Sequence, residues 1–268
     1  MQWPANIWMI GCGNMGGAIL QAWLDNGLSP ENVTIVKPSQ SELPGGKISQ
    51  PDYPADGPPD LVLLAMKPHQ LGEVTEELAP LLGSKTNVIS ILAGTELDVL
   101  HGALPAAGAI VRLMPNMAVT VGKSPMIMIG KDIGSDLHDQ MDALFSPLGP
   151  PEWLENEEQM HIATALAGSG PAFLFRFIDA LTVSAHELGM DKEQAGRLAL
   201  KMVEGAAMLT ASSEHDPGTL ANQVASPNGV TRKGLDVLDA GGRLNALLKD
   251  VLKAAMQRNK EMAKEAKK

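Results

Sequence analysis

Gly11, Gly13 and Gly16 in the stretch "IWMIGCGNMGGAIL" fall in the spacing G-x-G-x-x-G. The first glycine suits a tight turn, the second lets the backbone come close to a ligand, and the third lets a helix pack tightly on a strand. The chemistry on offer is anion binding, because a helix starting just after the loop aims free N–H groups and a positive dipole end at phosphates. Cys12, between the first two glycines, reads as a small filler rather than a nucleophile. A second stretch, "ASPNGVTRKGLDVL" at 225–238, runs a Ser-Pro-Asn-Gly turn into a helical pattern with Thr231 at its mouth. Taken alone, Ser226 and Thr231 are first read as helix caps, since hydroxyls at helix starts commonly satisfy backbone N–H groups.

A dinucleotide site that uses NAD carries an acidic residue about 20 residues past the glycine loop, on the ribose 2′-hydroxyl. Here the chain reads "VTIVKPSQSE", with Lys37, Ser39 and Ser41 where the acid would lie. A cation and hydroxyls accept a 2′-phosphate that a carboxylate repels, so NADPH is the expected cofactor and NADH the alternative.

The elements that must position these residues follow from periodicity. Up to about residue 155, the runs "NIWMI", "VTIV", "DLVLLAM", "NVISIL", "AIVRLM" and "PMIMIG" read as strands, with helices expected at 15–26, 69–82, 95–103 and 135–146. That alternation predicts an α/β, Rossmann-type doubly wound sheet over 1–155. From 156 to 268 the strand signals stop, and helices are expected at 157–167, 170–189, 192–212, 217–225, 231–240 and 243–265. The helix in "GSGPAFLFRFIDALTVSAHELG" is apolar around much of its girth, which predicts burial against a second subunit. The segment 41–60, "SELPGGKISQPDYPADGPPD", is too rich in Pro and Gly for a helix, so a reduced wall is expected on the adenosine side. The closing "KEMAKEAKK" reads as a solvated, frayed end.

Composition narrows the partners. With 268 residues, 44% of them hydrophobic, the chain buries a sizeable core, and a net charge of −10 opposes binding to nucleic acid or anionic membranes. A small molecule is the expected partner. The single cysteine and the absence of a CxxC or Cys/His cluster predict no disulfide, no metal and a reducing cytosol. Neither a signal peptide nor a run of about 18 apolar residues is apparent, so a soluble, cytoplasmic chain is expected. The six histidines form no i, i+4 pair and read as surface or packing residues.

Taken together, "GCGNMGGAIL", "LLAMKPHQ", "RLMPNMAVTVG", "GSGPAF" and "SEHDPGTLANQVASPNGVTRKGLDVLDAGGR" resemble the Δ1-pyrroline-5-carboxylate reductase family, in its order and from residue 10 to about 243. The resemblance implies reduction of 1-pyrroline-5-carboxylate to L-proline, the last step of proline biosynthesis, by hydride transfer to the C=N bond. It implies a helical dimerisation domain, a homodimer or higher homo-oligomer, and active sites at the subunit boundary. It also implies cofactor contacts at Ile10, Gly11, Cys12, Gly13, Asn14 and Met15, at Ser39, at Ala65, Met66, Lys67 and Pro68, and at Ile91, Leu92 and Ala93. On the substrate side it points to Glu214, Ser226, Gly229, Val230 and Thr231.

Thr231 is then a donor that orients the imine and relays a proton, rather than a cap, and the N–H groups of Gly229, Val230 and Thr231 suit a carboxylate. The chain departs from the family pattern at Asn228, in place of a glycine, at Phe173, in place of a tyrosine, and at Met117, in place of a small residue before proline. Two rivals stand beside this expectation. One is another enzyme, a related imine reductase or a β-hydroxyacid dehydrogenase, for the latter of which Lys201 is the comparable catalytic residue; the other is a cofactor-binding homologue without catalysis.

Overall fold

The computed structural model describes residues 3–55 and 57–267. All four residues of β1 (Ile7–Ile10) are buried. Ile7 and Met9 join one apolar cluster with Ile19, Leu20 and Trp23, while Trp8 and Ile10 join another with Val62, Leu64, Leu71 and Leu78. Neighbours along a strand point to opposite faces, so an unbroken apolar strand requires helices on both sides of its sheet.

The elements in chain order are β1, α1 (Asn14–Asp25), β2 (Val33–Val36), β3 (Glu42–Leu43), β4 (Lys47–Ile48), β5 (Leu61–Leu64), α2 (Leu71–Leu78), β6 (Asn87–Ser90), α3 (Leu97–Ala103), β7 (Ala109–Met114), β8 (Met126–Gly130), α4 (Ser135–Phe145) and β9 (Pro151–Trp153). Seven strands form one sheet in the order β2-β1-β5-β6-β7-β8-β9. Pairing is parallel from β2 through β7, antiparallel between β7 and β8, and parallel again at β9. The six expected strands are β1, β2 and β5–β8. The hairpin β3–β4 and the edge strand β9 are additions, too short to leave a periodic signal.

The helices that follow are α5 (Glu157–Ala163), α6 (Gly170–Glu187), α7 (Lys192–Ser212), α8 (Pro217–Val224), α9 (Val230–Asp239) and α10 (Arg243–Ala266). By contacts the chain divides into two compact units, Met1–Ser169 with Ala255–Lys268, and Gly170–Ala254. The division therefore lies beyond the expected boundary at 155/156. The cause is α5, whose Met160 is fully buried in the cluster under the sheet.

One expectation is corrected. The chain end is not a frayed tail: α10 docks on the first unit, with Asn259 bonded to the His161 ring at 3.1 Å, Lys260 to Glu158, Lys267 to Glu96, and Ala263 buried. Salt-bridge and hydrogen-bond partners on Lys267 and His161 hold the Glu96 carboxyl below its usual range despite the opposing pull of burial. The helix running from Glu157 to Glu187, through a π turn at Thr164–Gly168, is also long and apolar enough to cross a membrane by length and composition. Arg176 and Asp179 interrupt its apolar run, which hid it from a count of consecutive residues.

Arg112 on β7 is buried among apolar strands and pairs with Glu157, which also accepts the N–H of Leu97 at 2.8 Å. One carboxylate thus joins the sheet, α3 and α5. Glu157→Ala strands a buried guanidinium, and a broken buried pair costs about 3–5 kcal/mol. Glu157 is itself partly exposed, so the lower end is expected, about 3 kcal/mol, or a melting temperature lowered by roughly 6–12 °C in thermal denaturation.

Candidate active site

Gly11 leaves β1 with φ +77°, and its N–H donates to Val36 O at 2.8 Å. A Cβ there would stand 2.8 Å from Met66 N, so the loop lies directly on the end of β5. A Cβ at Gly16 would meet the Ala65 Cβ at 3.0 Å, whereas one at Gly13 would meet nothing within 4 Å. The two outer glycines thus serve packing, and the middle one faces open space. Gly13 caps α1 with no side-chain hydrogen bond, and the first turn holds no acidic residue. The first N–H groups of α1 are therefore available to an anion.

These residues open a cleft of about 940 Å³. Its far wall carries Lys37, whose ammonium donates to the Ser41 hydroxyl at 3.0 Å. Burial pushes the Cys12 thiol up, against the opposing pull of Lys37, so it is a packing residue and not a ready thiolate. Burial likewise pushes the Tyr53 phenol up to about 12, with Glu77 adding to the rise.

In the second unit, Asn228 has φ 60°, and the N–H of Gly229 donates to Ser226 O at 2.9 Å, closing the turn before α9. A Cβ on Gly229 would fall 2.4 Å from Ser226 Oγ and 3.0 Å from Ser226 O, so a larger residue there must push the Ser226 hydroxyl aside. No side chain caps α9, and Val230 and Thr231 are exposed on its first turn. Ser226 and Thr231 therefore do not act as caps of this helix. Glu214 is exposed in a loop built by Ser213 and Asp216: the Ser213 hydroxyl accepts from His215 N at 3.0 Å, and Asp216 caps α8 through Thr219 N at 3.0 Å.

A family profile for pyrroline-5-carboxylate reductase dimerisation matches residues 157–262, and one for NADP oxidoreductase, coenzyme F420-dependent, matches 6–94. A pyrroline-5-carboxylate reductase of Methanosarcina acetivorans is 35% identical, over 96% of this chain and 98% of that protein. This chain belongs to the pyrroline-5-carboxylate reductase family. A solved pyrroline-5-carboxylate reductase from Coxiella burnetii is 30% identical with a TM-score of 0.88, covering 97% of this chain and 99% of that one. The Plasmodium falciparum pyrroline carboxylate reductase, solved with NADP bound, is 25% identical with a TM-score of 0.81 and covers 97% and 98%.

Of the cofactor contacts expected from the glycine loop, the charge pattern and the family, Ile10, Gly11, Cys12, Gly13, Asn14, Met15, Gly16, Lys37, Ala65, Met66, Lys67 and Ile91 line the cleft. Ser39, Pro68, Leu92 and Ala93 are not part of its wall. Leu92 is buried in the apolar cluster beneath the sheet, and Ser39 is exposed, with its carbonyl accepting from Ser49 Oγ at 3.0 Å. Met117, noted as a departure from the pyrroline-5-carboxylate reductase pattern, is half exposed on the cleft, in a loop that Asn116 fastens to Ala167 O at 2.8 Å.

The wall residues missed in the sequence include Pro51, Tyr53, Gln70, Val74 and Glu77. The cleft therefore has a side-chain wall beyond Lys37. Its residues sit in a Pro-rich loop and on the first turns of a helix, positions that carry no motif.

Proposed function

We infer that this protein reduces 1-pyrroline-5-carboxylate to L-proline, with NADPH as the preferred hydride donor over NADH. The observation that carries this reading is end-to-end similarity to enzymes of that name in a chain whose α9 opens uncapped behind the Ser-Pro-Asn-Gly turn. The cleft suits a dinucleotide by its own chemistry: bare N–H groups at the start of α1 for the pyrophosphate, and Lys37, which forms no salt bridge among the described residues, for the 2′-phosphate.

When bound, the dihydronicotinamide supplies a hydride to the imine carbon. The chain's part is to hold and polarise. In this proposal the N–H groups of Gly229, Val230 and Thr231 take the substrate carboxylate, Ser226 and Glu214 border it, and the Thr231 hydroxyl donates to the imine nitrogen. The protonated imine is the better electrophile, so a donor at nitrogen favours hydride addition. Dimerisation through the second unit belongs to the same proposal, supported by Leu174, Phe175 and Phe177, which α6 leaves 44–65% exposed. A cytosolic site of action completes it.

The β-hydroxyacid dehydrogenase alternative finds no support at Lys201, which is exposed on α7 and paired with Glu204 at 2.7 Å. Loss of NADPH absorbance on adding pyrroline-5-carboxylate tests the function. Failure to oxidise either NADPH or NADH with that imine overturns it, and turnover of a 3-hydroxyacid with NADP⁺ would favour the dehydrogenase. For cofactor choice, Lys37→Ala is expected to raise KM for NADPH about 10- to 100-fold, the value of a charge-assisted contact to phosphate, and to leave KM for NADH nearly unchanged. Equal rises for both cofactors would remove Lys37 from the 2′-phosphate.

A further inference from the structure

We propose that the ring of Tyr53 is the platform on which the adenine base of the dinucleotide stacks, an inference that rests on the cleft being a dinucleotide site. The placement begins with a pairing that no motif announces. Gln50 bridges in parallel to Val36, with Lys37 N donating to Gln50 O at 2.9 Å and Gln50 N to Ile35 O at 3.0 Å. The chain leaving the β3–β4 hairpin is thereby fastened along β2, and residues 51–53 arrive at the cleft beside Lys37.

Tyr53 is the single tyrosine of the chain and the only aromatic side chain among the described residues of the cleft wall. Its ring is backed by Trp8, with centroids 5.8 Å apart and planes tilted by 44°. Trp8 is 1% exposed, so the platform rests on the core rather than on a mobile surface.

The order of anion sites along the cleft says what lies at this end. The pyrophosphate belongs at the start of α1 and the 2′-phosphate at Lys37, so the base must extend past β2, over Pro51, Tyr53 and Val74. Glu73 and Glu77 border the same end, and their carboxylates repel a phosphate there while tolerating an uncharged ring. A flat aromatic side chain accepts any base through its π-face, which suits a contact that does not distinguish NADPH from NADH.

The test is binding measured without turnover, by nucleotide fluorescence and by competition. Tyr53→Ala is expected to weaken NADPH, NADH and adenosine 2′,5′-bisphosphate by one common factor of about 5- to 100-fold, the usual cost of one base–aromatic stack. Tyr53→Phe should stay near the wild type, and reduced nicotinamide mononucleotide, which lacks the base, should bind all three proteins alike. Unchanged affinities in Tyr53→Ala overturn the inference. So does an equal loss for reduced nicotinamide mononucleotide, which would mean that the substitution disturbs the cleft as a whole. Failure of the wild type to bind NADPH would overturn it together with the dinucleotide site, whereas binding without imine reduction would overturn only the proposed reaction.

Discussion

Thr231→Ala is expected to lower kcat with NADPH and pyrroline-5-carboxylate about 10²- to 10⁴-fold, the range for removing a group that takes part in proton transfer. KM for NADPH should not move. The local structure separates this outcome from a loss of stability: Thr231 is exposed, and no side chain caps α9. Truncating an exposed side chain without structural partners changes stability by about 0.5 kcal/mol or less, so the melting temperature should stay within roughly 2 °C of the wild type. Thr231→Ser keeps the hydroxyl and should recover most of the rate. A fully active alanine variant would remove the hydroxyl from the reaction, and a lowered melting temperature at full activity would return it to the role of a cap.

Gly11→Val is the second large effect, and it acts on the cofactor. Its φ of +77° strains any L-residue by about 1–2 kcal/mol, and its Cβ would stand 2.8–3.0 Å from backbone atoms of Met66 and Ala65. Backbone at the end of a central strand cannot yield as a side-chain tip can, so the loop and the start of α1 must shift. A displacement of about 1 Å in a positioning element costs on the order of 10²-fold, and NADPH affinity should fall by at least that much. Gly13→Ala is the contrast. With nothing within 4 Å of its new methyl, it should fold normally and still weaken NADPH, because the methyl intrudes where the ligand comes close. Undiminished NADPH affinity in Gly11→Val would disprove the role of the first glycine.

Asn228 shows how far local sequence carries. It departs from the glycine of the family's turn, and the structure gives the reason that the sequence withheld: at φ 60° it occupies the left-handed region, which asparagine tolerates better than other non-glycine residues. The turn therefore holds asparagine in a backbone conformation that glycine also adopts readily. The Pro-rich segment after β2 was legible only as a place without a helix. Its hairpin is closed by pairs only four to six positions apart, but the pairing of Gln50 with Val36, fourteen positions away, and the arrival of Tyr53 at the cleft depend on contacts that local sequence does not announce.

The amino-acid sequence by itself determined the alternating strands and helices of the first half, the helices of the second, the glycine loop, and the family, because periodicity, helix breakers and motif spacing are local properties. Tertiary structure alone decided which of the suspected residues share a wall. It turned Leu92 into the core, left Ser39 outside the cleft, set Tyr53 beside Lys37, paired buried Arg112 with Glu157, and folded the end of α10 onto the first unit. Each of these outcomes rests on strand register or on packing across the sheet, and a shift of one residue along a strand sends a side chain to the opposite face.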